Sequence, residues 1–214
     1  MKAQDNEIKK VLLAYNLDAL FSKARRKAYK GDRSDLTDFE DCYGFEFARV
    51  ARNLDSGRYQ RSKRVMDKVG RSILSGNAYF VTFTFKDKVL ESTSEATRRT
   101  YVARALKEIG YRYVANIDYG DTTQREHYHA IVEPYPFCLA SWKNGKKEYQ
   151  DMPDFREWCE KYGFVKIEKI GNTEEDEKKV AKYTAKLSRH ALKKSTSKGG
   201  STAPRLIFSR MRFA

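Results

Sequence analysis

Hydrophobic and polar residues alternate along several short stretches in the second half of the chain. The clearest stretch is residues 79–85, YFVTFTF, which is rich in aromatic and β-branched side chains and is bounded by turn-forming residues. Alternation places odd-numbered residues on one face of a strand and even-numbered residues on the other. Similar patterns predict further strands over residues 111–118, 127–134 and 164–170.

Helical patterns fill the intervals between these strands. A Ser/Thr cap, an alanine-rich run and a closing Gly110 predict one helix. Residues 153–163 begin with proline and end with glycine, and a final helix is predicted over residues 173–192. The order β-α-β-β-α-β, followed by a helix, predicts an α+β fold with a ferredoxin-like (split βαβ) antiparallel sheet. We expect helices on one face, and an opposite face open to a ligand unless something covers it.

The first 75 residues have a different pattern. Apolar residues recur at helical spacing over residues 5–30, residues 31–42 are acidic and rich in turn formers, and one or two basic helices follow. We therefore predict three domains: a basic N-terminal helical extension over residues 1–75, the α+β domain over 76–192, and a basic flexible tail over 193–214.

Positive charge is concentrated at the two ends of the chain. Lys and Arg number 43 and Asp and Glu number 29, which gives a formal net charge of +14. The net charge is +6 over residues 1–75, +1 over 76–188 and +7 over 189–214. Because Tyr, Phe, Lys and Arg interleave closely in both flanks, this distribution favours a nucleic acid as the partner. A basic, solvated surface without a partner is the alternative.

The cysteine usage and hydropathy indicate the compartment. Cys42, Cys138 and Cys159 are widely spaced and form no CxxC motif, which is typical of a reduced cytoplasmic protein and gives no sign of a zinc knuckle. No apolar stretch approaches the roughly 20 residues of a membrane span, and the N-terminus is too polar for a signal peptide. We expect a soluble, cytoplasmic protein without a membrane partner.

Two of the chain's three histidines stand two positions apart in one predicted strand. His127 and His129 therefore project from the same face. Pairing of the two neighbouring strands about their hairpin places Asp118 opposite His127, or nearly so. Two imidazoles and one carboxylate can form a divalent-metal site with open coordination positions. The alternative is a pair of histidines in ordinary surface or core positions.

Glu126 is a second-choice ligand for this site. Because it directly precedes His127, its side chain is expected on the opposite face of the strand. The cluster contains no cysteine, so the pattern favours Mg²⁺ or Mn²⁺ over a structural zinc ion.

A second candidate lies on the final predicted helix, in the segment KKVAKYTAKLSRH over residues 178–190. At helical spacing, one stripe next to the core-facing residues consists of Lys179, Tyr183, Lys186 and His190. A tyrosine held among lysines is a candidate nucleophile, because nearby ammonium groups favour the phenolate. The alternative is an ordinary amphipathic helix whose tyrosine packs and whose lysines are solvated.

Together these motifs resemble the HUH superfamily of single-strand endonucleases, which is named for its His-hydrophobe-His motif. The motifs are FVTFTF, HYH and KYTAK, and they cover roughly residues 78–191 in the order of that family. The chain is most similar to rolling-circle replication initiators of small single-stranded DNA phages of the microvirus type. In those proteins EYG…RPHYHA is typical, and this chain reads DYGDTTQREHYHA.

The resemblance implies a metal-dependent DNA nickase and strand transferase that is specific for a sequence or structure at an origin. Asp118, His127 and His129 would hold Mn²⁺ or Mg²⁺. Tyr183 would attack the scissile phosphate, leaving a free 3′-OH and a covalent 5′-phosphotyrosine, and Lys186 would orient the phosphate or stabilise the phenolate.

The resemblance also implies the partners. A single-stranded DNA origin would contact Lys179, Lys182, His190 and Arg125. A host polymerase would extend the free 3′ end. Because the chain has no G-x-x-x-x-G-K-[ST] motif, we expect a host helicase to unwind the duplex.

Two positions depart from the pattern of the family. Asp118 stands where the family usually has glutamate, which shortens the ligand by one methylene group and puts the strength of metal binding in doubt. Lys179 stands where some relatives carry a second tyrosine, so the chain resembles a single-tyrosine enzyme.

Two alternative functions stay open at this point. A single-tyrosine transposase or plasmid relaxase would use the same chemistry on different DNA ends. A non-catalytic nucleic-acid-binding module with a ferredoxin-like sheet would explain the charge and the aromatic residues, but not the joint occurrence of the aspartate, the histidines and the tyrosine in family order.

Overall fold

The computed structural model describes residues 2–120, 125–136, 138, 153–186 and 205–209. The described residues belong to two compact units, one formed by residues 2–61 and the other by residues 62–186 and 205–209. The three domains expected from the sequence stay a prediction, and the limit expected after residue 192 lies outside the described residues.

The first unit is helical. It contains helix α1 (Lys2–Ala14), helix α2 (Leu17–Ala28) and the first part of helix α3 (Ser34–Leu74). The single helix predicted over residues 5–30 is wrong, because the chain changes direction at Asn16, whose φ of 60° lies in the left-handed region. Asparagine tolerates that conformation better than most residues, because its short polar side chain bonds locally.

Helix α3 is itself divided at Gly44, where φ is 83° and ψ is 165°. A residue without a Cβ atom adopts this conformation without steric cost. The core of the first unit includes Leu12, Phe21 and Phe39, and the two phenyl rings meet edge to face with centroids 5.1 Å apart. The early helical pattern of the sequence therefore produces a hydrophobic core that is built from helices alone.

The second unit contains one antiparallel sheet of five strands within the described residues. The strands are β1 (Tyr79–Phe85), β2 (Gly110–Tyr119), β3 (Glu126–Pro134), β4 (Gly163–Lys169) and β5 (Ile207–Phe208). Their order across the sheet is β4-β1-β3-β2-β5, and every neighbouring pair is antiparallel. The first four strands have the split βαβ arrangement, so the predicted ferredoxin-like α+β fold is confirmed.

Four further helices belong to the second unit in the described part of the chain: α4 (Asp87–Ser92), α5 (Glu95–Ile109), α6 (Pro153–Lys161) and α7 (Glu174–Thr184). The predicted cap of α5 is Ser94, whose Oγ accepts a hydrogen bond from the backbone N–H of Thr97 at 3.2 Å. The helix expected over residues 173–192 ends at Thr184, and residues 187–192 lie outside the described residues. None of the described helices combines the length and the hydrophobicity needed to cross a membrane.

Helices α5 and α6 cover one face of the sheet. The odd-numbered residues of β1 are buried there, as the alternation predicted. Phe83 and Phe85 both pack against Trp158 of α6, with ring centroids 5.2 and 5.4 Å apart. Burial of these large rings fixes which side of each strand faces the core.

A buried ion pair ties α5 to the same face. Arg98 donates to both carboxylate oxygens of Glu126, at 2.8 Å from Nε and 2.6 Å from Nη2. Both side chains are almost inaccessible to solvent. The bidentate geometry supplies hydrogen bonds to a carboxylate that would otherwise be buried without compensation.

The opposite face is covered at one end, so it is not an open surface throughout. Val65, Val69 and Ile73 from the end of α3 form one apolar cluster with Val114 of β2 and Ile131 of β3. An alanine of α7 and the alanine that adjoins its last residue belong to the same cluster. The remaining part of this face contains the histidines.

Removal of one partner of the buried ion pair should destabilise the second unit. Arg98→Met leaves the carboxylate of Glu126 buried without its partner, and we expect the free energy of unfolding to fall by about 3–5 kcal/mol in urea titrations. Lys178→Ala removes an exposed pair with Glu174 and is the control, with an expected change below about 1 kcal/mol. Equal effects of the two substitutions would contradict this account of the core.

Candidate active site

The two histidines lie in adjacent rows that cross three strands. His127 of β3 pairs with Thr84 of β1 on one side and with Asp118 of β2 on the other. His129 is flanked in the same way by a threonine of β1 and an asparagine of β2, Thr82 and Asn116. Because paired residues of neighbouring strands point to the same face, these side chains all project from the face that α5 and α6 leave uncovered. The predicted pairing of Asp118 with His127 is confirmed.

The acidic side chain lies between the imidazoles and a lysine. Asp118 Oδ2 is 3.7 Å from Nε2 of His129 and 3.6 Å from Nζ of Lys186. The ring centroids of His127 and His129 are 6.3 Å apart, with nearly parallel planes. The backbone N–H of Tyr119 also donates to Asp118 Oδ1 at 2.9 Å, which fixes the orientation of the carboxylate.

Two threonines on β1 hold the imidazole rings. Thr82 Oγ1 is 3.2 Å from Nδ1 of His129, and Thr84 Oγ1 is 3.1 Å from Nδ1 of His127. A hydroxyl can donate to or accept from a ring nitrogen, so each threonine can fix both the tautomer and the orientation of its histidine. Sequence reasoning assigned these threonines to the correct face but missed their contact with the histidines.

Burial keeps both imidazoles neutral. Burial, followed by the nearby His127 and Lys186, lowers the pKa of His129 to about 4. The pKa of His127 is also lowered, mainly by burial and then by Arg125, although Asp118 opposes the shift. A neutral imidazole keeps a lone pair with which it can bind a cation or accept a proton.

The candidate nucleophile stands beside these rings. Tyr183 lies in the last turn of α7, and its ring centroid is 5.0 Å from that of His129. Phe80 of β1 stacks on His129 at 5.4 Å and meets Tyr183 edge to face at 5.7 Å. The tyrosine is 45% exposed, so a large substrate can reach it while Phe80 holds one side of its ring.

A side-chain amide fastens the end of α7 to the sheet. Asn116, which is 2% exposed, donates from Nδ2 to the carbonyl oxygen of Lys186 at 2.6 Å. Thr184 and Ala185, which precede that carbonyl, are both buried. Sequence reasoning missed Asn116, although its place two residues before Asp118 on the same strand was a signal that it shares the face of the site.

The residues expected to contact DNA are divided by the structure. Lys179 and Lys182 are exposed on α7, close along the helix to the tyrosine. Arg125 instead makes an ion pair with Asp87 at 2.8 Å and donates to the carbonyl oxygen of a residue in β1 at 2.6 Å. His190 lies outside the described residues.

Glu126, the second-choice ligand, projects away from the histidines. Its carboxylate is buried on the opposite face of the sheet, in the bidentate contact with Arg98. The expectation that its side chain leaves the face of His127 is confirmed, and this position makes it unsuitable as a ligand at the candidate site.

The donors at the site match a divalent cation in kind. One carboxylate and two neutral imidazoles share a face, as two-histidine, one-carboxylate metal sites require. Among the described residues, however, no three His, Cys, Asp or Glu side chains stand close enough together to hold an ion in their present positions. Asp118, His127 and His129 therefore fit a cation by chemistry and by face, without forming a closed cluster.

Comparison with known proteins adds one finding. Residues 78–188 match the model of a protein family described as replication-associated protein, ORF2 or gene II protein. The matched segment is just over half of the chain and contains the aspartate, both histidines, the tyrosine and Lys186. Comparison with curated proteins and with solved structures gave no match.

Loss of the amide on β2 should loosen the end of α7. In Asn116→Ala the carbonyl of Lys186 loses a buried donor, so we expect the free energy of unfolding to fall by about 1–3 kcal/mol. Hydrogen exchange should accelerate over residues 182–186. The control is Asn53→Ala, at an exposed position on α3, for which we expect no change in exchange over these residues. Unchanged protection in Asn116→Ala would show that the amide does not hold the helix end.

Proposed function

Because the chain belongs to this family of replication-associated proteins, we propose that it starts rolling-circle replication by nicking a single DNA strand. One observation carries this proposal: a carboxylate, two neutral imidazoles and an accessible phenol meet on one face of the sheet, with the rings of His129 and Tyr183 5.0 Å apart. The sequence resemblance to HUH endonucleases supports the same chemistry.

In the proposed reaction, Tyr183 is the nucleophile. Its phenolic oxygen attacks the scissile phosphorus and forms a phosphotyrosyl bond, while the bond from phosphorus to the 3′ oxygen breaks. The phenolic proton is lost, and the departing 3′ oxygen gains a proton to become a free hydroxyl. The DNA keeps a primer end for a polymerase, and its 5′ phosphate stays attached to the protein. Because the phosphodiester is exchanged and not hydrolysed, rejoining needs no ATP.

Lys186 and Asp118 set the charge around the phosphate. The ammonium of Lys186, 3.6 Å from Asp118, supplies positive charge close to the tyrosine three residues before it. That charge would stabilise both the phenolate and the additional negative charge of the transition state. Asp118 in turn keeps the lysine directed towards the sheet.

A divalent cation, Mn²⁺ or Mg²⁺, would be held by Asp118, His127 and His129. When bound, it would supply positive charge that polarises the phosphoryl group and offsets the charge of the transition state. For Nε2 to be the ligand atom of each histidine, Nδ1 must carry the proton and donate it to a hydroxyl. Thr82 and Thr84 are placed to accept these hydrogen bonds.

The substrate in this proposal is a single-stranded DNA origin. The exposed ammonium groups of Lys179 and Lys182 on α7 would contact its phosphates near the cleavage point. Arg125 is a weaker candidate for such a contact than the sequence indicated, since it is engaged with Asp87. A host polymerase would extend the free 3′ end, and a host helicase would open the duplex.

Substitution of the nucleophile tests the reaction directly. Tyr183→Phe should abolish the denaturation-resistant protein–DNA adduct formed with Mn²⁺ and overlapping single-stranded fragments of the DNA that encodes the chain. The affinity for the same fragments should stay within about twofold, because only a hydroxyl is lost. Tyr59→Phe, at an exposed tyrosine of α3, is the matched control and should form the adduct normally. An adduct that persists in Tyr183→Phe would exclude this tyrosine as the nucleophile.

Substitution of the threonines tests the cation site without measuring activity. Thr82→Val and Thr84→Val should each weaken Mn²⁺ binding in isothermal titration by roughly 10- to 100-fold, because the imidazoles lose the partner that orients them. Thr82→Ser should restore binding, and Thr100→Val, on the exposed surface of α5, should leave it unchanged. If the unsubstituted chain binds no Mn²⁺, the cation is not part of the function. If the valine variants bind normally, the threonines do not orient the ligands.

A further inference from the structure

The row of residues that contains His127 extends to the edge of the sheet. On β1, Thr84 pairs with His127 on one side and with Phe164 of β4 on the other. Asp118 completes the row on β2. Since paired residues share a face, Phe164 projects from the same surface as the histidines and the aspartate.

Phe164 is an exposed aromatic side chain at a defined place. It is 50% exposed, whereas the next residue, Val165, is buried on the opposite face. A single exposed apolar residue needs no functional explanation by itself. The significance of Phe164 lies in its row, since two strand spacings, about 10 Å, separate its backbone from that of His127.

The backbone of β4 fixes this position. A Cβ atom on Gly163 would lie 1.9 Å from the carbonyl oxygen of Thr84, so only glycine allows β4 to approach β1 this closely. Phe164 comes directly after it and pairs with Thr84 in the ladder. The ring is therefore presented by a strand and not by a loop, which restricts the directions in which it can point.

The adjacent row presents a positive charge on the same surface. Lys166 pairs with Thr82, which in turn pairs with His129. Its ammonium lies 2.9 Å from Glu168, but both side chains are largely exposed, so this pair contributes little and can be exchanged for a phosphate. An exposed ring and an exposed ammonium thus stand side by side at one edge of the candidate site.

We propose that Phe164 and Lys166 form a nucleotide subsite, in which the ring stacks on a base of single-stranded DNA close to the scissile phosphate and the lysine contacts the neighbouring phosphate. This inference rests on the proposed function and identifies where the strand crosses the sheet. Aromatic stacking and phosphate contacts together bind single strands without requiring a particular base. The chain's net charge of +14 favours the same polyanionic occupant.

The test compares two probes that carry the same charge. One is a labelled oligothymidylate, and the other is an abasic deoxyribose-phosphate chain of equal length, which has phosphates but no bases. Phe164→Ala should weaken binding of the oligothymidylate about tenfold and leave binding of the abasic chain unchanged. Phe164→Trp should retain the affinity, whereas Phe164→Leu, which is apolar but cannot stack in the same way, should lose most of it. Lys166→Gln should weaken both probes alike and lower the salt dependence of binding.

Controls separate this inference from the proposed reaction. Phe45→Ala removes a ring of similar exposure, 68%, in the helical unit and should bind both probes as the unsubstituted chain does. The subsite is refuted if Phe164→Ala binds the oligothymidylate normally or loses both probes equally. Adduct formation by the unsubstituted chain is measured in parallel, so failure of the nicking chemistry is seen in that assay, and failure of the subsite is seen in the binding comparison.

Discussion

The register of three antiparallel strands is the constraint on which the candidate site depends. Because β3 pairs with β1 and β2 at fixed positions, His127 stands between a threonine hydroxyl and the carboxylate of Asp118. A shift of one residue along β3 would turn both imidazoles towards the aromatic core and bring Tyr128 to the surface. Tyr128 is fully buried among the core aromatics, so the packing of one face fixes the chemistry of the other.

The two faces of the sheet have separate tasks. On the side of α5 and α6, large rings and the Arg98–Glu126 pair hold the strands together. On the other side, α3 and α7 cover one end and leave the histidines at the border between protein and solvent. This border lowers the pKa of His129 by burial while Tyr183 stays accessible, a combination that neither a closed core nor an open surface would provide.

The sequence predicts those parts of the structure that depend on short-range patterns. Period-two alternation located the first four strands to within about one residue, and the hairpin between β2 and β3 was sufficient to place Asp118 opposite His127. The contacts of Thr82 and Asn116 were not predictable, because each joins elements far apart in the chain whose relative register no local pattern specifies. The turn at Asn16 was missed because the helical spacing of apolar residues continues across it.

The anchoring of α7 has a consequence for the fate of a nicked strand. Tyr183 lies only three residues before the carbonyl that Asn116 holds, so its phenol cannot travel far from the sheet. A DNA end carried by this tyrosine would remain stored within reach of the histidines while the other end is being copied. The enzyme would then act as a fixed clamp to which the returning strand must come, and closure of the circle would depend on the path of the DNA and not on a swing of the protein.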